Sequence, residues 1–158
     1  MAEKLDDLDA RILNLMQEDA RIPLVDLADK VASSRSAVWR RIQKLEEAGV
    51  IKKHTVILDA EKAGLGVLVF AQVKMQAHSR DSLPNFIDKV RNFPEVIECH
   101  TLMGDIDFIL KVRVPSIQAY EEFFWNQLSQ IEGVREINSS IALTAVKDTT
   151  SLNVNVGT

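Results

Sequence analysis

The chain has 158 residues, 46% of them hydrophobic and 27% charged, a balance that suits a globular protein with a buried core and excludes a disordered or collagen-like chain. Its formal net charge of −4 excludes a uniformly basic protein that would bind polyanions indiscriminately. A single cysteine, Cys99, permits no internal disulfide and no cysteine-based zinc cluster; with no apolar run of spanning length and an acidic, polar N-terminus, a cytoplasmic location without membrane contact is expected.

From the N-terminus, Leu5, Leu8, Ile12 and Leu15 recur at helical spacing behind Asp6, a capping residue, with Asp9 placed three residues on as the acidic partner of a capping box. Pro23 suits the first turn of a second, shorter helix whose apolar face is Leu24, Leu27, Ala28 and Val31, before Ala32-Ser33 interrupts the pattern. A third helix is predicted from the Ser34 cap to Gly49, the residue past its end, with Val38, Ile42 and Leu45 as its buried stripe. At about 100° per residue, Ser36, Arg40 and Gln43 fall opposite that stripe, Lys44 lies beside them and Arg41 flanks the core. Trp39 sits between the two faces, so its ring is expected to cover the first helix or the segment after the third.

Two helices joined so tightly read as a helix-turn-helix, and the run 50–58, β-rich and basic at its start, reads as the wing of a winged helix. Charge is polarised along the chain. From Glu3 to Asp29 three basic residues face eight acidic ones, whereas from Arg35 to Lys53 six basic residues face two acidic ones. The candidate partner is double-stranded DNA, with Ser36, Arg40 and Gln43 at base edges and Ser34, Arg35, Arg41, Lys44, Lys52 and Lys53 at phosphates. Taken alone, a basic helix face is also an ordinary solvated face and a capped helix-turn-helix an ordinary corner. The ordered set of three helices, basic third helix and basic wing is what favours DNA.

Strand character stops at 59–66, where two glycines precede a new apolar run. This divides the chain into a winged helix-turn-helix domain at 1–58, a linker at 59–66 and a second domain at 67–158. There the patterns predict a strand at 67–75, a helix at 82–92, strands at 96–103 and 106–114, a helix at 116–130 and a strand at 135–146. That order is βαββαβ, the ferredoxin-like arrangement, and the whole is an α+β protein. Phe108, Leu110, Val112 and Val114 share the side expected to pack on helices. Leu68 and Phe70 lie opposite Val67, Val69, Ala71 and Val73, so both sheet faces carry apolar side chains and one is expected to meet a second subunit. The tail 153–158 carries no assigned role.

Between the middle strands, Met103-Gly104-Asp105-Ile106-Asp107 reads first as a hairpin with a Gly-Asp turn. It also offers what a free α-amino acid needs: carboxylates for an ammonium group and accessible backbone N–H groups for a carboxylate. Catalytic chemistry finds less support. Cys99 and His100 are consecutive in a strand and point to opposite faces, His78 lies in a loop, His54 belongs to the wing, and no phosphate loop, serine elbow or metal-ligand spacing appears. No catalytic residue, cofactor or metal is therefore assigned, and an enzyme is not expected.

Leu5-Asp6-x-x-Asp9, Leu27-Ala28 with Val31, Ser34, Arg41-Ile42, Leu45-Glu46-x-x-Gly49-x-Ile51, Gly104-Asp105-Ile106-Asp107 and Gly133-Val134, in this order, resemble the Lrp/AsnC (feast/famine) transcription regulators over nearly the whole chain. The resemblance implies a sequence-specific regulator that binds operator or promoter DNA, forms homodimers that associate into octamers, and responds to a free amino acid bound between dimers. Carried onto this chain it points to Met103, Gly104, Asp105, Ile106 and Asp107 with Ser139 and Ser140, Asp107 meeting the amino group. Ile106 stands where relatives commonly carry an aromatic residue. An effector-insensitive DNA-architectural protein and an amino-acid-binding module are the alternatives.

Overall fold

The computed structural model describes residues 5–76 and 82–156, so His78 lies outside the described residues. It forms two compact units, one of Met1–Val56 with Lys147–Thr158 and one of Ile57–Val146.

The first unit is built on α1 (Asp7–Glu18), α2 (Leu24–Lys30) and α3 (Arg35–Glu47). Its helix ends are set locally. The Asp6 carboxylate accepts from the Asp9 N–H while the Asp9 carboxylate accepts from the Asp6 N–H, the reciprocal box that the spacing predicts. Ser34 Oγ accepts from the Ala37 N–H at the start of α3. At its end Gly49 takes φ +71°, and the N–H groups of Gly49 and Val50 return to the carbonyls of Glu46 and Leu45 in a Schellman motif. Between α2 and α3 the tight turn passes through Ala32 at φ +50°. Ile12, Leu27, Ala28, Val31 and Val38 are the buried cluster, with Leu8, Leu15 and Ile42 packed against it.

Two expectations change here. Residues 50–58 form no strand among the described residues; from Lys52 to Leu58 the chain has no regular structure and is exposed, with Val56 at 80% and Ile57 and Leu58 at 71%. A strand is held by its ladder, and among the described residues these find no ladder partner. The last residues, which the sequence pattern attaches to the second domain, cluster with the helices. Asn14 exchanges two hydrogen bonds with the backbone of Val154, at 3.0 and 3.2 Å, and Gln17 exchanges two with Leu152, at 2.9 and 2.7 Å.

The second unit runs β1 (Val67–Met75), α4 (Ser82–Arg91), β2 (Val96–Thr101), β3 (Phe108–Val114), α5 (Ile117–Asn126), a 3₁₀ turn (Leu128–Gln130) and β4 (Val134–Ile141). The sheet is antiparallel in the order β2-β3-β1-β4, the βαββαβ topology. Strand alternation places Val69, Ala71 and Val73 of β1 and Phe108, Leu110, Val112 and Val114 of β3 in the core, against Phe86 and Val90 of α4 and Tyr120 and Phe123 of α5. The other face presents Leu68, Phe70, Gln72 and Lys74 beside Ile109, Lys111 and Arg113. Gly133, at φ +86°, abuts α4: a Cβ there would lie 2.4 Å from Ser82 Cβ. The hairpin is wider than a two-residue turn, since β2 stops at Thr101 and β3 starts at Phe108, with one further backbone bond from Leu102 N–H to the Asp107 carbonyl at 2.8 Å.

Candidate nucleic-acid interface and effector hairpin

The cap at Ser34 and the stop at Gly49 fix which side of α3 turns inward. Val38 and Leu45 are buried, and Arg35, Ser36, Arg40 and Lys44 are exposed, as are Lys52 and Lys53 on the segment that follows. Arg40 Nε lies 3.4 Å from the Ser36 carbonyl, one turn back along the same side. Ser34 is occupied by its cap, and its hydroxyl also lies 3.3 Å from that of Ser36.

Arg41 departs from its expected phosphate role. Its Nη1 donates to the Asp6 carboxylate and to Asp9 at 3.1 and 3.2 Å, so the guanidinium clamps α3 onto the capping box of α1. Asp9 is buried, and its charge is matched there by Arg41. The Asp9 N–H, opposed by burial and reinforced by the Arg41 guanidinium, holds the Asp6 carboxyl below the ordinary aspartate range. The Asp6 carboxylate in turn raises the Arg41 pKa. A residue that flanks the core can turn either way; here a carboxylate pair on another helix, invisible in the local pattern, turns it inward.

Trp39 also departs from expectation. It is 54% exposed and stands outside the helical core. Gln43 is half-buried, and its Nε2 donates to Glu46 Oε2 at 3.0 Å, while Glu46 Oε1 lies 3.0 Å from His54 Nε2. Glu46 and His54 entered no site expectation. The i, i+3 relation of Glu46 to Gln43 and the turn at Gly49, which brings the chain back past α3, were the signal available.

In the second unit, Met103, Gly104 and Asp105 are exposed and Ile106 and Asp107 half-buried. Among the described residues, no acceptor takes the backbone N–H groups of Met103, Gly104, Asp105 or Ile106. Asp107 ties the hairpin to the end of β1: its N–H donates to the Val73 carbonyl at 3.0 Å and its Oδ2 accepts from the Met75 N–H at 2.7 Å. Within one chain Ser139 and Ser140 do not join it. They lie on β4, two strands from β3 and opposite Ala71 and Phe70, roughly 10 Å across the sheet and about as far along it. They also face opposite ways, Ser139 toward the helices with its hydroxyl against Tyr120 and Ser140 toward the open face.

Cys99 and His100 stand opposite Leu110 and Ile109 and so on different faces, and burial pushes the Cys99 thiol up, away from the reactive thiolate. Among the described residues no group of three His, Cys, Asp or Glu side chains could hold a metal, and no helix is long and apolar enough to cross a membrane.

A capped, basic third helix on a three-helix unit, joined to a βαββαβ unit with an open glycine-acid hairpin, defines a DNA-binding protein with an attached ligand-binding domain. Comparison with known proteins gives the family. Residues 5–52 match the winged helix-turn-helix DNA-binding model and residues 68–152 the Lrp/AsnC ligand binding domain model. The chain is 40% identical over 152 residues to the glutamate uptake regulatory protein of Zymomonas mobilis, covering 96% of this chain and 92% of that protein. Among solved structures, an AsnC family transcriptional regulator from Agrobacterium tumefaciens is 41% identical with a TM-score of 0.89. A Neisseria meningitidis transcriptional regulator in complex with L-methionine is 34% identical with a TM-score of 0.90; each match covers 94% of this chain and 96% of that one. The chain belongs to the Lrp/AsnC family: it is a DNA-binding transcription regulator and not an enzyme.

Proposed function

We propose that this regulator reads operator DNA with α3 and answers to a free amino acid in the cytoplasm. α3 enters the major groove with Ser36, Arg40 and Gln43 at base edges, while Arg35, Lys44, Lys52 and Lys53 hold phosphates beside the Ser34 cap. The observation that carries this reading is the shared exposure of Arg35, Ser36, Arg40 and Lys44 on one side of a helix whose other side is buried.

The effector is an α-amino acid at the hairpin 103–107. Its carboxylate meets the free N–H groups of Met103, Gly104, Asp105 and Ile106, and its ammonium meets the Asp107 oxygen that Met75 leaves open, with Asp105 nearby. The L-methionine complex of the Neisseria relative supports that ligand class. Ser139 and Ser140 enter this site only from another copy, which couples occupancy to assembly. Two surfaces support a homodimer able to grow to an octamer: the open sheet face around Phe70, and the exposed, strand-like sequence through Val56, Ile57 and Leu58, which can form a ladder with a second copy.

Binding to the DNA upstream of its own gene, repeated with each of the twenty amino acids and paired with calorimetry and sedimentation, tests this reading. Specific DNA should bind at least about 10³-fold more tightly than random DNA, and one or a few amino acids should change that affinity by roughly 5- to 150-fold. Asp107→Asn keeps an acceptor for the Met75 N–H but removes the charge, and should lose the response. Equal affinity for all DNA would make the protein architectural, and absence of amino-acid binding would leave the second unit as an oligomerisation module.

A further inference from the structure

Glu46 places a carboxylate on the helix that must approach phosphates, a position where charge alone opposes binding. Its two oxygens are both engaged: Oε2 takes an N–H of Gln43 and Oε1 takes the Nε2 proton of His54, each at 3.0 Å. An ionised carboxylate only accepts, so His54 presents Nε2–H to it. Gln43 lies one turn beyond Trp39 and Arg40, about 40° from the centre of the outward face.

A glutamine amide carries an acceptor at one end and two N–H donors at the other, and a freely rotating one offers either end to a base. In α3 one N–H is spent on Glu46, which removes that choice. Oε1 and the remaining N–H are left, and this acceptor–donor pair matches the N6 amino group and N7 of adenine in the major groove. We infer that Glu46 is a positioning residue for DNA reading: clasped by His54, it holds the Gln43 amide in the orientation that selects adenine. The inference rests on the reading of Gln43 as a base contact.

The test uses the full-length chain and a random-sequence duplex pool to define the preferred site, then competition binding with every base pair exchanged in turn. Gln43→Ala should flatten the preference at one base pair, which identifies the position it reads. There the parent protein should prefer adenine by about tenfold. Replacing that adenine by purine, which lacks the N6 amino group, should lose the same factor.

Glu46→Ala should reduce the preference at that base pair to less than about threefold while leaving affinity for random DNA unchanged or raised, since a negative charge has gone. Glu46→Gln, which retains an acceptor for the Gln43 N–H, should restore most of the preference. If Gln43→Ala leaves every base preference intact, the base-contact reading fails. If Gln43→Ala flattens the preference but Glu46→Ala does not, or Glu46→Ala weakens all DNA equally, or the preferred base is not adenine, the positioning inference is overturned.

Discussion

The two units hold themselves together by different means, and the difference decides how their charged residues are used. Among the described residues the sheet unit buries a cluster of fourteen hydrophobic side chains, whereas the helical unit's cluster has five. The small core is supplemented by polar contacts: the Asp6–Asp9 box, the Arg41 clamp across it, and the amides that bind the C-terminal segment to α1. In the sheet strands alternation sends apolar side chains inward, and the charged residues of β3 fall on the open face. In the helical unit position on the helix does not say whether a charge serves the fold or the ligand. Arg40 and Arg41 are adjacent on α3, yet only Arg41 is drawn into an ion pair with Asp6 and Asp9, while Arg40 stays exposed.

The largest expected effect lies in the sheet unit and breaks its packing. Gly133→Ala puts a methyl 2.4 Å from Ser82 Cβ and 2.7 Å from its Oγ, at a φ of +86° that a side chain disfavours. Overpacking and the left-handed backbone together should cost about 3 kcal/mol. Denaturant unfolding followed by amide exchange should show the loss in the sheet unit. An unchanged midpoint would mean that α4 yields freely there.

Next, Arg41→Ala and Arg40→Ala separate fold from ligand within one turn of helix. Removing Arg41 leaves the buried Asp9 carboxylate with only the Asp6 N–H, and should destabilise the helical unit by about 2 kcal/mol, less than a fully buried pair because Arg41 is about one-third exposed. Arg40→Ala should leave the melting temperature unchanged and cost about 1–3 kcal/mol in specific DNA binding. Melting curves and competition binding on both variants distinguish the roles; reversed results would exchange them.

What was legible in the sequence follows the range of the interactions. Asp6, Asp9, Ser34 and Gly49 announce their caps because each closes on partners within four residues. The β1 and β3 faces are legible because a period of two needs no knowledge of the neighbours. The Arg41 clamp spans 32 to 35 residues and leaves no local trace. The strand expected at 50–58 is missing for the same reason in reverse, since the run has strand composition but strand structure requires a partner. Trp39 stands between faces, where the neighbouring helices decide whether a ring is covered. At the hairpin the residue types were legible, but Asp107 holding β1 through the Met75 N–H depends on strand register.

Acid should weaken the helical unit through Asp6. Its carboxyl is held below the ordinary value of about 3.9 by the Asp9 N–H first and by Arg41 next. A group whose pKa is depressed by folding adds stability that is fully present above its unfolded value and disappears as pH falls through the folded one. The melting temperature of the parent protein should therefore fall more steeply below about pH 4 than that of Asp6→Asn, and the two curves should run parallel above about pH 5. Because the Asp6 side chain is about half exposed, the divergence should be smaller than the Arg41→Ala effect. Parallel curves throughout would remove Asp6 from the acid response.

The smallest effect concerns the C-terminal segment, which has almost no core of its own: Leu152 is 74% exposed, and the segment is held through its backbone. Gln17 gives its Nε2–H to the Leu152 carbonyl and takes the Leu152 N–H on Oε1, and Asn14 does the same with Val154. The i, i+3 spacing of the amides on α1 thus matches an i, i+2 spacing on extended chain, where alternate residues present their backbone to the same side. Each hydrogen bond contributes about 1 kcal/mol or less where water competes, so Asn14→Ala with Gln17→Ala should lower stability by about 1 kcal/mol in total. Amide exchange reads the change more sensitively: the Leu152 and Val154 N–H groups should lose their protection while the caps at Asp9 and Ala37 keep theirs. Uniform loss across α1 would instead make the segment part of the helical core, and unchanged exchange at Leu152 and Val154 would show that the two amides do not hold it.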